Sequence, residues 1–185
     1  MRLSGVFSAS SPIRILGFGL VALLMALIAG CASTASQVAV PYAVELTASK
    51  DVNPDSRGRP SPIQITLFEL RSSNQFEGSD FFTLQGDAQA ALGKELLDTE
   101  QIILKPGESR TIRRPGNVDA RVIGVVAGYR NLENSNWRLV VTLPEPKQTN
   151  IYKVWQLSPS EEPVPISIDK QGMQVTEAES GWWLW

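Results

Sequence analysis

The chain has 185 residues, a formal charge of −2, one cysteine and no histidine. The missing imidazole excludes His-based triads, His acid–base chemistry and most zinc sites. The mildly acidic balance, with no basic patch and no interleaving of aromatic and basic residues, argues against nucleic acid as a partner.

The first thirty residues read as an export signal. Arg2 and Arg14 give a charged start, and an apolar run follows from Ile15 to Ala29, ending Ile28-Ala29-Gly30-Cys31. The run is roughly fifteen residues, short of the ~20 needed to cross a bilayer. Small polar residues follow it, without a positive stop-transfer cluster, so a removed signal is the better reading. An aliphatic residue, two small residues and a cysteine resemble the lipobox of bacterial lipoproteins. On that resemblance residues 1–30 are the signal and Cys31 carries covalent lipid, the only prosthetic group expected. An ordinary signal with a chance cysteine is the alternative, but a lone free thiol in a secreted domain is unusual. Multiple acyl chains suffice for stable anchoring. Ala32, not Asp, follows the cysteine; by resemblance this implies sorting to the outer membrane.

Cleavage leaves roughly 155 residues, one ordinary domain. Residues 31–40 read as a lipidated tether, 41–180 as the domain and 181–185 as a tryptophan-rich tail. Residues 42–48 alternate, with Tyr42, Val44, Leu46 and Ala48 on one side, as in a half-buried strand. Residues 50–62 are dense in Asn, Pro, Asp, Ser and Gly and form a loop. Residues 63–70 are a second strand, with Ile63, Ile65 and Leu67 inward and Gln64 and Thr66 outward. Two short helices follow, one capped by Ser79 over 80–84 and one opened by Gly86-Asp87 through Leu92. Their stripe of Phe81, Leu84, Ala88, Ala91 and Leu92 packs on the sheet.

From Ile102 the chain returns to strands. Residues 102–104 precede the turn Lys105-Pro106-Gly107-Glu108, and 109–113 precede Arg114-Pro115-Gly116-Asn117. Residues 121–129 read as a central strand, and 137–143, 151–157, 164–168 and 173–177 as further ones. Short strands with Pro/Gly turns imply an all-β antiparallel sandwich, the helices being inserted between its second and third strands.

The stretch from Asn53 to Trp137 resembles the outer-membrane lipoprotein of type VI secretion systems, the TssJ family. The resemblance rests on Gly58-Arg59-Pro60-Ser61-Pro62-Ile63, Leu67-Phe68-Glu69-Leu70, Phe76 with Ser79-Asp80-Phe81, Leu84, Leu92-Gly93, Leu104-Lys105-Pro106-Gly107-Glu108, and Ile123 through Arg130, with Trp137 after it. It covers about half of the mature chain, behind a lipobox. From Pro144 onward no family motif is found. Gly107 suits a turn with positive φ, and Gly124 permits close approach to the central strand.

The resemblance implies a transthyretin-like β-sandwich without catalytic activity, facing the periplasm from the outer membrane. It implies binding to the C-terminal periplasmic part of TssM, and through it an indirect link to TssL. It also implies contact through the loop between the first two strands, here 51–62. The candidate partner-binding residues are Asn53, Pro54, Asp55, Ser56, Arg57, Gly58 and Arg59. Prolines lower the entropy lost on binding, and Arg57 and Arg59 can fork onto carboxylates. A solvated connecting loop is the competing reading.

Two other functions compete. A pilotin-like or ligand-binding lipoprotein would share the signal and strands. An enzyme would need paired carboxylates or a Ser–Lys pair, and Glu161-Glu162, in a proline-flanked loop, is the one adjacent acid pair; neighbours in a loop rarely face each other across a site. No small-molecule substrate or metal is expected. The tail Gly181-Trp182-Trp183-Leu184-Trp185 reads as an edge strand or plug folded back on the sandwich, with a contact to a partner or subunit, or insertion at lipid headgroups, as alternatives.

Overall fold

A computed structural model describes residues 35–150 and 159–176. Its strands are β1 (Ala35–Val38), β2 (Tyr42–Ala48), β3 (Ile63–Leu70), β4 (Leu96–Leu104), β5 (Ser109–Arg114), β6 (Val122–Ala127), β7 (Arg138–Thr142), β8 (Lys147–Asn150), β9 (Glu162–Ile168) and β10 (Met173–Val175). Two four-stranded sheets are ordered β10-β9-β2-β5 and β4-β3-β6-β7, and β1 pairs with β8 in a separate ribbon. The expected all-β sandwich is therefore observed. Within the two main sheets one pairing departs from antiparallel: β2 and β9 run parallel, with Val44 opposite Val164 and Leu46 opposite Ile166.

The strand bounds for β2 and β3 are those the alternation indicates. Strand β4 begins at Leu96, not Ile102: it is an edge strand, paired with β3 along its whole length. In its first half Asp98 is exposed, Glu100 is half-buried and the apolar pattern is weak. Within the stretch read as tether, Ala35–Val38 is a strand, and Val40 is buried. The polar β8 has no apolar alternation to mark it in the sequence. The expected strand at 151–157, Cys31 and the tryptophan tail lie outside the described residues.

Between the sheets lies the main core, with Val44 and Leu46 of β2 meeting Ile63, Ile65 and Leu67 of β3, Val125 of β6 and Ile166 of β9. Removal of these apolar side chains from water is the main driving force of the fold. β3 is buried on both faces, because a helical layer covers its outer side. Thr66, expected to face solvent, is 2% exposed and its hydroxyl accepts a hydrogen bond from Gln85 Nε2 at 3.1 Å.

The helical layer consists of α1 (Asn74–Gly78), α2 (Phe81–Gly86) and α3 (Ala88–Leu92). Such short helices do not persist alone, so capping and packing hold them. Ser79 is not the expected N-cap: it ends α1, and its hydroxyl donates to Gln75 O at 2.7 Å. Asp80 caps α2 instead, accepting from the Thr83 N–H at 3.0 Å, and Asp87 caps α3, accepting from Ala90 N–H at 2.9 Å. Phe76, Leu84 and Leu92 then pack on Phe68, Leu70 and Val126, a second core on the outer face of that sheet. The expected packing stripe is thus observed, joined by Phe76 of the unanticipated α1. Arg138 Nη1 secures the end of α1, donating to the carbonyls of Glu77 and Ser79 at 2.6 and 2.9 Å.

The topology gives the sandwich two poles. Residues 39–41 enter β2 at one pole, and the loop 49–62 leaves it at the other. The turn 105–108, the loop 128–137 and the turn 169–172 share this far pole, as the strand registers require. Seven residues of β2 separate the poles, a distance of roughly 20 Å at strand rise.

Gly124 of β6 lies under the Phe76 ring, and an added Cβ would sit 2.6 Å from its Cζ. Gly124→Ala is expected to destabilise the fold by about 1–3 kcal/mol through overpacking. Urea unfolding with an unchanged m-value is the measurement, and an unchanged midpoint would show that the ring moves aside freely.

Candidate functional site

The far pole is built on the loop expected to meet a partner. Asn53 departs from the expectation of an exposed tip residue: it is 3% exposed. Its side-chain Nδ2 donates to Pro62 O at 2.8 Å, and its Oδ1 accepts from the Arg130 N–H at 2.8 Å. Its φ of 47° is a conformation asparagine tolerates better than most residues. Asn53 is thus a latch between the loop 49–62 and the loop 128–137, not a surface group.

Asp55 organises the tip. Its Oδ1 accepts from the Arg57 and Arg59 backbone N–H groups at 2.9 and 3.0 Å. Its Oδ2 accepts from Arg59 Nε at 2.8 Å and lies 2.7 Å from Arg59 Nη2. The backbone closes the same turn, with Gly58 N–H donating to Asp55 O at 2.8 Å and Asp55 N–H to Arg59 O at 2.9 Å. Gly58 takes φ +75° there. The forked arginine geometry is therefore present, but Arg59 spends it inside the loop. The hydrogen bonds from Arg59 hold the Asp55 carboxyl below its ordinary value of 3.8. Ser56, Arg57 and Arg59 remain exposed, and Pro54 is half-buried.

Two neighbouring loops complete the pole. Arg57, Arg59 and Arg130 surround an open concavity of about 770 Å³, with Pro54, Asp55 and Asn131. Beside it a polar cleft of about 70 Å³ lies between Asn53, Tyr129, Ser135 and Lys170. The Tyr129 hydroxyl donates to Gly172 O at 2.6 Å, and Asn136 N–H donates to Gln171 O at 2.7 Å, tying the turn 169–172 to the loop 128–137. Arg130 stood within the family-like stretch of the sequence without being assigned a role there. No local pattern marks it, because its partner Asn53 is 77 residues away.

Other acids serve packing and charge pairing. Glu162 is not in a loop as expected: it begins β9, opposite Tyr42, and Glu161 pairs with Arg113 Nε at 3.5 Å. Glu69 lies between the sheets near the pole where the chain enters β2, beside Tyr42 and Arg114, in a space of about 10 Å³. Burial pushes its carboxyl up, and Oε1 has no hydrogen-bond partner among the described residues. That space admits about one water molecule. Among the described residues no cluster of three or more His, Cys, Asp or Glu side chains is arranged to hold a metal ion.

These features define a class: a β-sandwich whose chain enters β2 at one pole and presents stiffened polar loops at the other. A family model described as type VI secretion lipoprotein, VasD, EvfM, TssJ matches residues 41–171. The chain belongs to this family, a structural lipoprotein component of the type VI secretion system. Among solved structures it is similar to Serratia marcescens Lip, described as a membrane-bound component of that system. The two are 39% identical, with a TM-score of 0.65 over 75% of this chain and 98% of the other. The type VI lipoprotein TssJ1 from Pseudomonas aeruginosa is 28% identical, with a TM-score of 0.65 over 75% and 95% of the two chains. A chain of a structure described as a type VI membrane complex shares the fold, at 17% identity and a TM-score of 0.60 over 75% and 98%. Comparison with curated proteins gives no match.

The Asp55 geometry makes a pH prediction. Its folded pKa lies below 3.8, so its ionised form stabilises the turn at higher pH. That contribution is lost as pH falls through the folded value. The Arg57 and Arg59 amide resonances are expected to hold from neutral pH to about pH 4 and shift only below it. A titration midpoint at or above 3.8 would show that Asp55 does not hold the turn.

Proposed function

We propose that this protein is the outer-membrane anchor of a type VI trans-envelope complex. Lipid on Cys31 holds it to the periplasmic face of that membrane, and the loop 51–62 binds the periplasmic C-terminal region of TssM. The link to TssL is indirect, through TssM. The protein has no catalytic role and needs no cofactor beyond its lipid. The carrying observation is polarity: the loop with Asp55 at its centre lies at the pole opposite residues 39–41. A lipid at Cys31 would place the tether pole toward the membrane and the loop pole toward the periplasm. Family membership supports the secretion-system setting. The internal bonding of the tip supports docking, because a preordered loop loses less entropy on binding.

Two measurements test this reading. Cys31→Ser is expected to move the protein from the outer-membrane fraction to the soluble periplasm, and mass spectrometry is expected to find diacylglycerol on the wild-type cysteine. Unmodified Cys31 in a freely diffusing wild-type protein would sink the anchor. Deleting residues 55–59 is expected to abolish calorimetrically measured binding to the TssM periplasmic region while thermal unfolding stays cooperative. Unchanged affinity in the deletion would remove the loop as the docking site.

A further inference from the structure

We infer that the docking surface is composite: Arg130, from the loop 128–137, joins Arg57 to receive a carboxylate-rich segment of the protein partner. This deepens the proposed function and rests on its reading that residues 51–62 face that partner.

Three observations carry the inference. The first is charge. Three guanidinium groups and one carboxylate surround the concavity, on a chain whose overall charge is negative. The sign of the local field is therefore opposite to that of the whole molecule, and such a patch steers acidic partners. The second is availability. Asp55 is fully engaged by Arg59 and by two backbone N–H groups. It lies near enough to Arg130 to feel its charge, yet neither Arg57 nor Arg130 has a side-chain hydrogen bond or ion pair among the described residues. Both are exposed. Two planar forks thus remain for bidentate carboxylate recognition.

The third is rigidity. The Arg130 backbone is pinned by Asn53 Oδ1, so its loop and the Asp55 turn keep one geometry. The concavity is therefore a preformed feature and not a chance meeting of mobile loops. An acidic protein is favoured over an anionic lipid surface, because the concavity lies at the pole away from the tether.

The test uses the full lipidated chain in neutral phosphatidylcholine nanodiscs, with the purified TssM periplasmic region as probe. Arg130→Glu and Arg57→Glu are each expected to weaken binding roughly tenfold or more, and to flatten its dependence on salt. Arg71→Glu is the control for net charge. Arg71 pairs with Asp119 on the exposed surface at the tether pole, and its reversal is expected to leave affinity unchanged. Amide spectra check that each variant keeps the fold.

If deletion of 55–59 abolishes binding while Arg130→Glu does not change it, the composite surface is wrong and the loop reading stands. If neither variant changes it, both fall. Equal weakening by Arg71→Glu would reduce the effect to net charge and overturn the inference. Unchanged affinity of Arg130→Glu for TssM, with lost capture of phosphatidylglycerol vesicles, would assign the surface to lipid and overturn the inference.

Discussion

The buried amide of Asn53 is the constraint on which the loop pole depends. It satisfies a carbonyl of its own loop and an amide of another in one residue. A buried amide left half-paired would cost the desolvation of the orphaned group, so both bonds favour the same arrangement. Without this tie, the loops 49–62 and 128–137 would be joined mainly through the strands that carry them. With it, and with Tyr129 holding the turn 169–172, three connections act as one surface. The positive φ of Asn53 is part of the same device, since it turns the side chain back toward Pro62 and Arg130.

The rest of the architecture leaves that surface uncovered. The helices lie flat on the outer face of the β4-β3-β6-β7 sheet, where Phe76, Leu84 and Leu92 complete a second apolar layer. On the side between edge strands β4 and β5, Arg114 bridges to Asp98 and to Glu100, the latter at 2.7 Å. Charges on an edge discourage unwanted strand pairing. Burial and edge protection are thus handled on the flanks. The polar groups at the loop pole are arranged around one another and around an open concavity.

Much of this was legible in sequence where local pattern carries the information. Strands β2 and β3 were readable to their ends because alternate side chains enter one core. Thr66 was misread because alternation reports only that one face is apolar, not whether the other is wet; Gln85, nineteen residues on, covers it. Helix α1 has one buried residue, Phe76, and so no periodicity to detect. Asp80 and Ser79 are both good caps by type, and only the geometry of the chain chose between them. At the loop pole, composition marked 53–59 as a unit but not the division of labour within it. Whether Arg59 points outward or folds onto Asp55, and whether Asn53 is tip or latch, depends on contacts no short window contains.

The entry side adds a mechanical argument. Val40 is buried, and Gly116 lies so close that a Cβ there would sit 2.3 Å from the Val40 carbonyl oxygen. The chain is therefore clamped where it joins the sandwich, and Ala35–Val38 is already committed to pairing with β8. Entry clamp and loop latch thus fix the two ends of β2 separately: Gly116 against Val40 at one, Asn53 with Pro62 and Arg130 at the other.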